Sequence, residues 1–233
     1  MNLKDQIYHI ISACGHYWAK ITKKYYFEDY IRVYPDGIIY NRYGIRKKAG
    51  VSDIKNFKNH SKFYLFASQF TKGKQVADIG CGSGYGCRIL KQSGAAFLYG
   101  ADASLASIKF AKARFGKYAH YSVQTITDIK DCKNQTFDVT VSSEVLEHIK
   151  EYNEEEIAIG QLKRITKPKG LIIIGTPNSE MLSDHGFSYS EIYKLMKKNF
   201  SSFVIFENAL VPFNKAKNIW LKRLSKGKTG VIV

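Results

Sequence analysis

The sequence predicts an α/β fold, a mostly parallel, doubly wound sheet behind a helical and aromatic N-terminal extension. Three observations lead there. From Lys74 onward, short apolar runs of strand length alternate with segments of helical periodicity. The first run, Gln75–Ile79, feeds a glycine cluster that opens a helix. A later run, Gly170–Gly175, is continuously apolar, as a parallel strand covered on both faces must be.

Taken in order, residues 1–72 form the extension. Leu3, Ile7, Ile10, Ile11, Cys14, Trp18 and Ile21 recur at helical spacing on one face. Such a helix suits a membrane surface, or packing on the core as a cap over a site; the second reading is preferred. Tyr25–Gly50 is aromatic and contains Tyr34-Pro35-Asp36-Gly37, a turn by its Pro-Asp-Gly chemistry, with a short hairpin expected beyond it. Asp53–Phe70 reads as a lead-in helix. Residues 73–233 form the second domain. Its strands are expected at Gln75–Ile79, Ala96–Ala101, Ala119–Gln124, Phe137–Ser142, Gly170–Gly175, Phe203–Ala209 and Gly230–Val233, seven in all. The helices between them are Gly86–Ser93, Ser104–Phe115 with Ser104 as cap, Asn153–Thr166, Tyr189–Asn199 and Asn218–Leu224. Asn153 is expected to open its helix, with Glu154, Glu155 and Glu156 placed where the macrodipole favours acids.

Composition narrows the class. Hydrophobic residues make up 45% of the 233, an ordinary globular share. Cys14, Cys81, Cys87 and Cys132 show no zinc-pair spacing and are expected reduced. No apolar run approaches the ~20 residues of a membrane span, and Ile7–Ala19 makes a poor leader, so a cytoplasmic protein is expected. The net charge of +16 is uneven: +8 over residues 1–72, +6 over 212–233 and +2 between. Basic flanks suit an anionic partner, namely RNA, an acidic or phosphorylated glycan, or a lipid surface at the inner membrane face. The plainer reading is a lysine-rich surface. Oligomeric state leaves no trace in the sequence.

The motif with chemical content is Asp78-Ile79-Gly80-Cys81-Gly82-Ser83-Gly84. Glycines let the backbone approach a ligand, and the helix that follows offers its N–H groups. Tyr85 stands where a dinucleotide fingerprint needs its third glycine. Asp78 ahead of the glycines suits a cationic ligand. Some 20 residues on, the second strand ends at Asp102, where a carboxylate can accept two ribose hydroxyls.

With "VADIGCGSGYG", "GADAS", "FDVTVSSEVLEHI", "KRITKPKGLIIIGTPN" and "HGFSYSEIYKLMKKNF", the chain resembles class I S-adenosylmethionine-dependent methyltransferases over residues 74–200. The ubiquinone-biosynthesis O-methyltransferases are the similar branch. The resemblance implies a Rossmann-like domain. Asp78, Gly80, Cys81, Gly82 and Gly84 would hold the methionine part, with Ser143 beside it, and Asp102 the ribose. Ala103, Thr125 and Ile126 would meet the adenine, although the family's Asp after strand three is replaced by Thr125. Ser142, Ser143 and Glu144 would end strand four beside the substrate.

Methyl transfer from a sulfonium needs alignment and, for a hydroxyl acceptor, a base. The candidates near the mouth are Glu144, Glu147, His148 and His185, with His148 or His185 as base or substrate-orienting residue and Glu144 beside them. Glu144, Glu147 and His148 stand at i, i+3 and i+4, which on a helix share one face. A second reading places a divalent cation on Glu144, Glu147, His148 and His185. It follows a local resemblance of E-V-L-E-H, Thr176-Pro177-Asn178-Ser179-Glu180 and Asp184-His185-Gly186-Phe187 to small-RNA 2′-O-methyltransferases. Metal-free O-methylation of a small molecule or a glycan, lipid-linked ones included, is the preferred expectation. RNA 2′-O-methylation and an inactive cofactor-binding scaffold are the alternatives.

Overall fold

A computed structural model describes residues 30–33, 38–41, 46–48, 51–177, 179, 186–206 and 231–232. The helix expected near Leu3–Ile21, the Tyr34–Gly37 turn, the Asn218–Leu224 helix, Cys14 and His185 lie outside them. Three short strands come first: β1 (Tyr30–Val33), β2 (Ile38–Asn41) and β3 (Arg46–Lys48). They pair as an antiparallel meander, Val33 opposite Ile38 and Tyr40 opposite Arg46. Helix α1 (Val51–Ser68) follows, close to the expected lead-in helix.

Five parallel strands then form the central sheet: β4 (Gln75–Ile79), β5 (Phe97–Asp102), β6 (His120–Val123), β7 (Phe137–Ser143) and β8 (Thr166–Gly175). Their order is β6-β5-β4-β7-β8. The chain therefore runs outward from β4 to β6, then crosses back to β7. That reversal opens a crevice at the carboxyl ends of β4 and β7, where open α/β sheets bind ligands. Helices α2 (Tyr85–Gln92), α3 (Leu105–Phe115), α4 (Leu146–Lys150), α5 (Glu155–Ile165) and α6 (Tyr189–Asn199) complete the layers. Two-residue strands β9 (Phe203–Val204) and β10 (Val231–Ile232) pair in parallel beyond β8, β10 lying between them.

The sheet separates two cores. One holds Ile79, Ala101, Leu146, Ile159, Leu162, Ile174 and Met196. The other holds Val76, Leu90, Leu98, Ile108, Phe115 and Ile173, with Tyr64 and Ala67 of α1 built into it. The two glycines facing α1 explain this docking. A Cβ at Gly86 would lie 2.2 Å from the Tyr64 ring, and one at Gly175 would lie 2.7 Å from Phe63.

Three local expectations change. Asn153 does not cap α5; it sits in the left-handed region at φ 55, which Asn tolerates, and Glu154 is the cap residue. Strand β8 begins at Thr166, not Gly170. Lys169 at φ 63 and a register shift between Phe137 and Val139 absorb the irregular turn around Pro168. Glu144 stands outside α4, also left-handed at φ 56. Ser104 caps α3 as expected, and Ser188 caps α6 in a reciprocal capping box with Glu191.

Candidate functional site

The glycine turn joins β4 to α2 at the crevice. Gly80, Gly82 and Gly84 all have positive φ, at 83, 51 and 84. Gly80 is needed for space as well, because a Cβ there would meet Val145 at 2.1 Å. At Gly82 a Cβ would meet nothing within 4 Å, so the bare backbone borders open space. Asp102 closes the turn from β5: Oδ2 accepts the Gly82 N–H at 2.8 Å and Oδ1 accepts the Ser104 N–H at 2.8 Å. Burial raises the Asp102 carboxyl, and those two backbone donors pull it back. A carboxylate has about four lone-pair sites, so each oxygen keeps one for a ligand hydroxyl. The open face at Gly82 beside a half-buried, oriented carboxylate fits a ribose-bearing cofactor.

Asp78 lies beneath the turn, fully buried. Its Oδ1 accepts from the Tyr64 hydroxyl at 3.3 Å, and its Oδ2 from the Cys87 thiol at 3.4 Å. Burial pushes it up to about 7. From this position its carboxyl group supports the turn and does not face the open side. Cys81 is buried beside it. Ala103 follows Asp102 at the strand end and is half-buried. Gln124 N–H donates to Asp102 O at 3.1 Å, which brings the next residues, Thr125 and Ile126, to the same rim. Ile126 is buried in the first core.

Across the crevice, β7 ends in Ser142 and Ser143, both buried; Ser142 Oγ has no hydrogen-bond partner. Glu144 is fixed by its N–H on Gly175 O at 2.8 Å. Glu147 and His148 do not share a solvent face with it, because α4 starts only at Leu146. Glu147 is buried, and its Oε2 accepts from Thr176 Oγ1 at 3.0 Å. Its Oε1 has no hydrogen-bond partner and lies 3.9 Å from His148 Nε2, whose side chain is 52% exposed. Burial, reinforced by the Glu144 charge, pushes Glu147 up to about 8. Among the described residues no three His, Cys, Asp or Glu side chains are grouped to hold a metal ion. Near the crevice Phe187 N–H donates to Pro177 O and Ser179 N–H to Phe187 O. Lys150 clamps the same place, on Gly186 O at 3.1 Å and Glu191 at 2.8 Å.

Sequence reasoning missed one residue here. His60 of α1 reaches the crevice, with Nδ1 2.9 Å from the Tyr85 hydroxyl and Nε2 3.9 Å from Glu144 Oε2. The signal available was a stripe, since Phe57, His60 and Tyr64 fall at i, i+3 and i+7 of the expected helix.

Residues 77–174 match the family model described as "Methyltransferase domain". The chain is 32% identical over 110 residues to the ubiquinone biosynthesis O-methyltransferase of Mesorhizobium japonicum, covering 46% of this chain and 42% of that protein. It is 31% identical over 113 residues to the protein of the same name from Haemophilus ducreyi, covering 46% of each. The chain thus spans less than half the length of these relatives. Its fold is similar to an S-adenosylmethionine-dependent methyltransferase from Mesorhizobium loti, with TM-score 0.54 and 14% identity, covering 73% of this chain and 94% of that one. It is also similar to the N-methyltransferase NodS of Bradyrhizobium japonicum in complex with S-adenosyl-L-homocysteine, with TM-score 0.50 and 18% identity, covering 61% and 73%. The glycine turn, the Asp102 clamp and the switch-point crevice all lie within the matched residues or are formed by them. Over residues 77–174 the chain is thus similar to the methyltransferase-domain family, with the fold of S-adenosylmethionine-dependent methyltransferases.

Proposed function

We propose that the chain transfers the methyl group of S-adenosylmethionine to an oxygen of a small-molecule or glycan acceptor, lipid-linked ones included. The observation that carries this reading is the Asp102 clamp: one carboxylate orders both the glycine turn and the start of α3 while keeping lone pairs for a ribose. The O-methyltransferase names of the curated relatives support oxygen as the nucleophile. When bound, the cofactor supplies an electrophilic methyl on a sulfonium. The chain's own residues hold and align. Gly80, Gly82 and Gly84 let the backbone pass close, Cys81 and Ser143 flank the methionine part, and Asp78 sets the turn from below. Ala103, Thr125 and Ile126 border the adenine. Glu144, His148 and His185 serve the acceptor side.

In the same reading residues 1–72 cap the substrate, residues 73–233 bind the cofactor, and β10 and β9 extend the sheet to seven strands. The basic flanks give a cytoplasmic protein a peripheral place at an anionic membrane face. A divalent-cation reading, with an RNA 2′-hydroxyl as acceptor, has one observation in its favour: the unpartnered Glu147 Oε1 beside His148.

Calorimetric titration with S-adenosylhomocysteine tests the proposal. Wild-type protein binds it, and Asp102→Ala weakens binding by about 100-fold, the loss of two charge-assisted hydrogen bonds at roughly 1.5 kcal/mol each. A wild-type protein that does not bind would end the reading. Added Mg²⁺ heat that disappears in His148→Ala would move the acceptor to RNA. Cofactor binding without turnover on any acceptor would leave a scaffold.

A further inference from the structure

Helix α1 lies outside the matched segment, yet one of its side chains spans the crevice. The partners of His60 stand on opposite walls. Tyr85 opens α2 directly after the glycine turn, and Glu144 follows β7 directly. His60 and Glu144 side chains are 23% and 35% exposed, so an acceptor can reach both. The pair is also held in place. Tyr64, one turn along α1, fills the space that Gly86 leaves open and hydrogen-bonds Asp78. Phe57, one turn earlier, meets Tyr85 edge-on at 5.5 Å. Glu144 sits at positive φ, a conformation that costs of order 1 kcal/mol and collects at functional sites.

We propose that His60 is the general base of the transfer, removing the proton of an acceptor hydroxyl; this rests on the O-methylation reading above. With the Nδ1 proton donated to the Tyr85 oxygen, Nε2 carries the lone pair and faces Glu144 and the crevice. The acceptor O–H donates to that lone pair. As the acceptor oxygen forms its bond to the methyl carbon, the S–CH3 bond breaks and its electron pair stays on sulfur. The proton passes to Nε2, and the imidazolium is then steadied by the Glu144 carboxylate. The groups facing His60 from its neighbours include Tyr85 on α2 and Glu144 just past β7, and the Glu144 charge in turn acts on Glu147 of α4. A nucleophile that needs a base is a hydroxyl; a neutral amine has its lone pair ready.

The test uses the full chain, with catechol as the hydroxyl probe and radiolabelled S-adenosylmethionine. His60→Gln keeps S-adenosylhomocysteine affinity within about twofold, because the Asp102 clamp is untouched. Its kcat falls by about 100-fold or more at unchanged KM, the usual contribution of a positioned base. His60→Ala regains part of the rate in millimolar imidazole, a recovery that a packing role would not give. Nitrogen-15 spectra of histidine-labelled protein show His60 as the Nδ1–H tautomer. An undiminished rate in His60→Gln, or an Nε2–H tautomer, overturns the assignment. Wild-type protein that binds S-adenosylhomocysteine but methylates no catechol overturns the hydroxyl-acceptor reading, and the base falls with it.

Discussion

Asp78 is the residue whose character the sequence and the structure describe most differently. Its place before the glycines leads to the expectation of a ligand-side acid, and the structure buries it beneath the turn. Its burial under Tyr64 and Cys87 comes from α1 and α2, and no spacing rule reports that. Burial raises its carboxyl from 3.8 to about 7, with the two hydrogen bonds opposing the shift. A carboxyl with a higher folded than unfolded value keeps its proton longer when folded. The folded state then binds more protons between about pH 4 and 7, so stability falls as pH rises through that window. Asp78→Asn removes that slope. Urea midpoints at pH 5 and pH 8 should show the wild type losing stability on the order of a few kcal/mol at the higher pH and the variant losing less. An equal loss in both proteins would mean that Asp78 does not carry its proton into the fold. The place of Asp102 at the end of β5 was legible from the apolar run before it, and its clamp on Gly82 was not. Glu144 was not, because a left-handed residue just ahead of a helix leaves the i, i+3, i+4 pattern intact while breaking the shared face. His60 was hidden because its hydroxyl partner is 25 residues away and meets it only after α1 docks.

Elements were legible where local chemistry decides them. Gln75–Ile79 and Tyr189–Asn199 fall at the residues expected, the first an apolar run and the second a helix that the structure closes with a capping box. The start of β8 was hidden because Pro168 and Lys169 read as a turn, and only pairing of Thr166 with Phe137 continues the strand through it. How α1 joins the sheet was hidden too, since it depends on space left by single glycines in other elements. Two glycines in helices therefore behave oppositely. Gly160 in α5 is exposed, and a Cβ there meets nothing within 4 Å. Gly160→Ala should stabilise by roughly 0.5–1 kcal/mol, the helix-propensity difference. Gly86→Ala drives a methyl into the Tyr64 ring at 2.2 Å and should destabilise by about 1–3 kcal/mol. Urea unfolding of both variants, at unchanged slope, reads the two signs directly. A stabilised Gly86→Ala would show that α1 is not seated on α2 as described.

At the scale of the molecule, charge and composition separate the first 72 residues from the rest, whereas packing does not respect that line. Tyr64 and Ala67 belong to the second core, and Phe57, Phe63, Phe66 and Phe70 pack against it. A fully buried aromatic side chain contributes about 1.5–3 kcal/mol, so even partial burial of these residues is comparable with the 5–15 kcal/mol that stabilises a typical domain. The matched segment, 77–174, should therefore be too little to stand alone, because its Gly86 surface, like Gly175 just beyond its end, is shaped for α1. A protein beginning at Lys74 should lack a cooperative thermal transition by circular dichroism and bind no S-adenosylhomocysteine. One beginning at Val51, which keeps all of α1, should melt cooperatively and bind. If the shorter protein melted at the temperature of the full chain, α1 would be an appendage to the sheet, and a base carried on it would have no rigid seat. If only the longer one folds, the element that closes the core is also the one that brings His60 to the crevice, and stability and catalysis draw on the same docking.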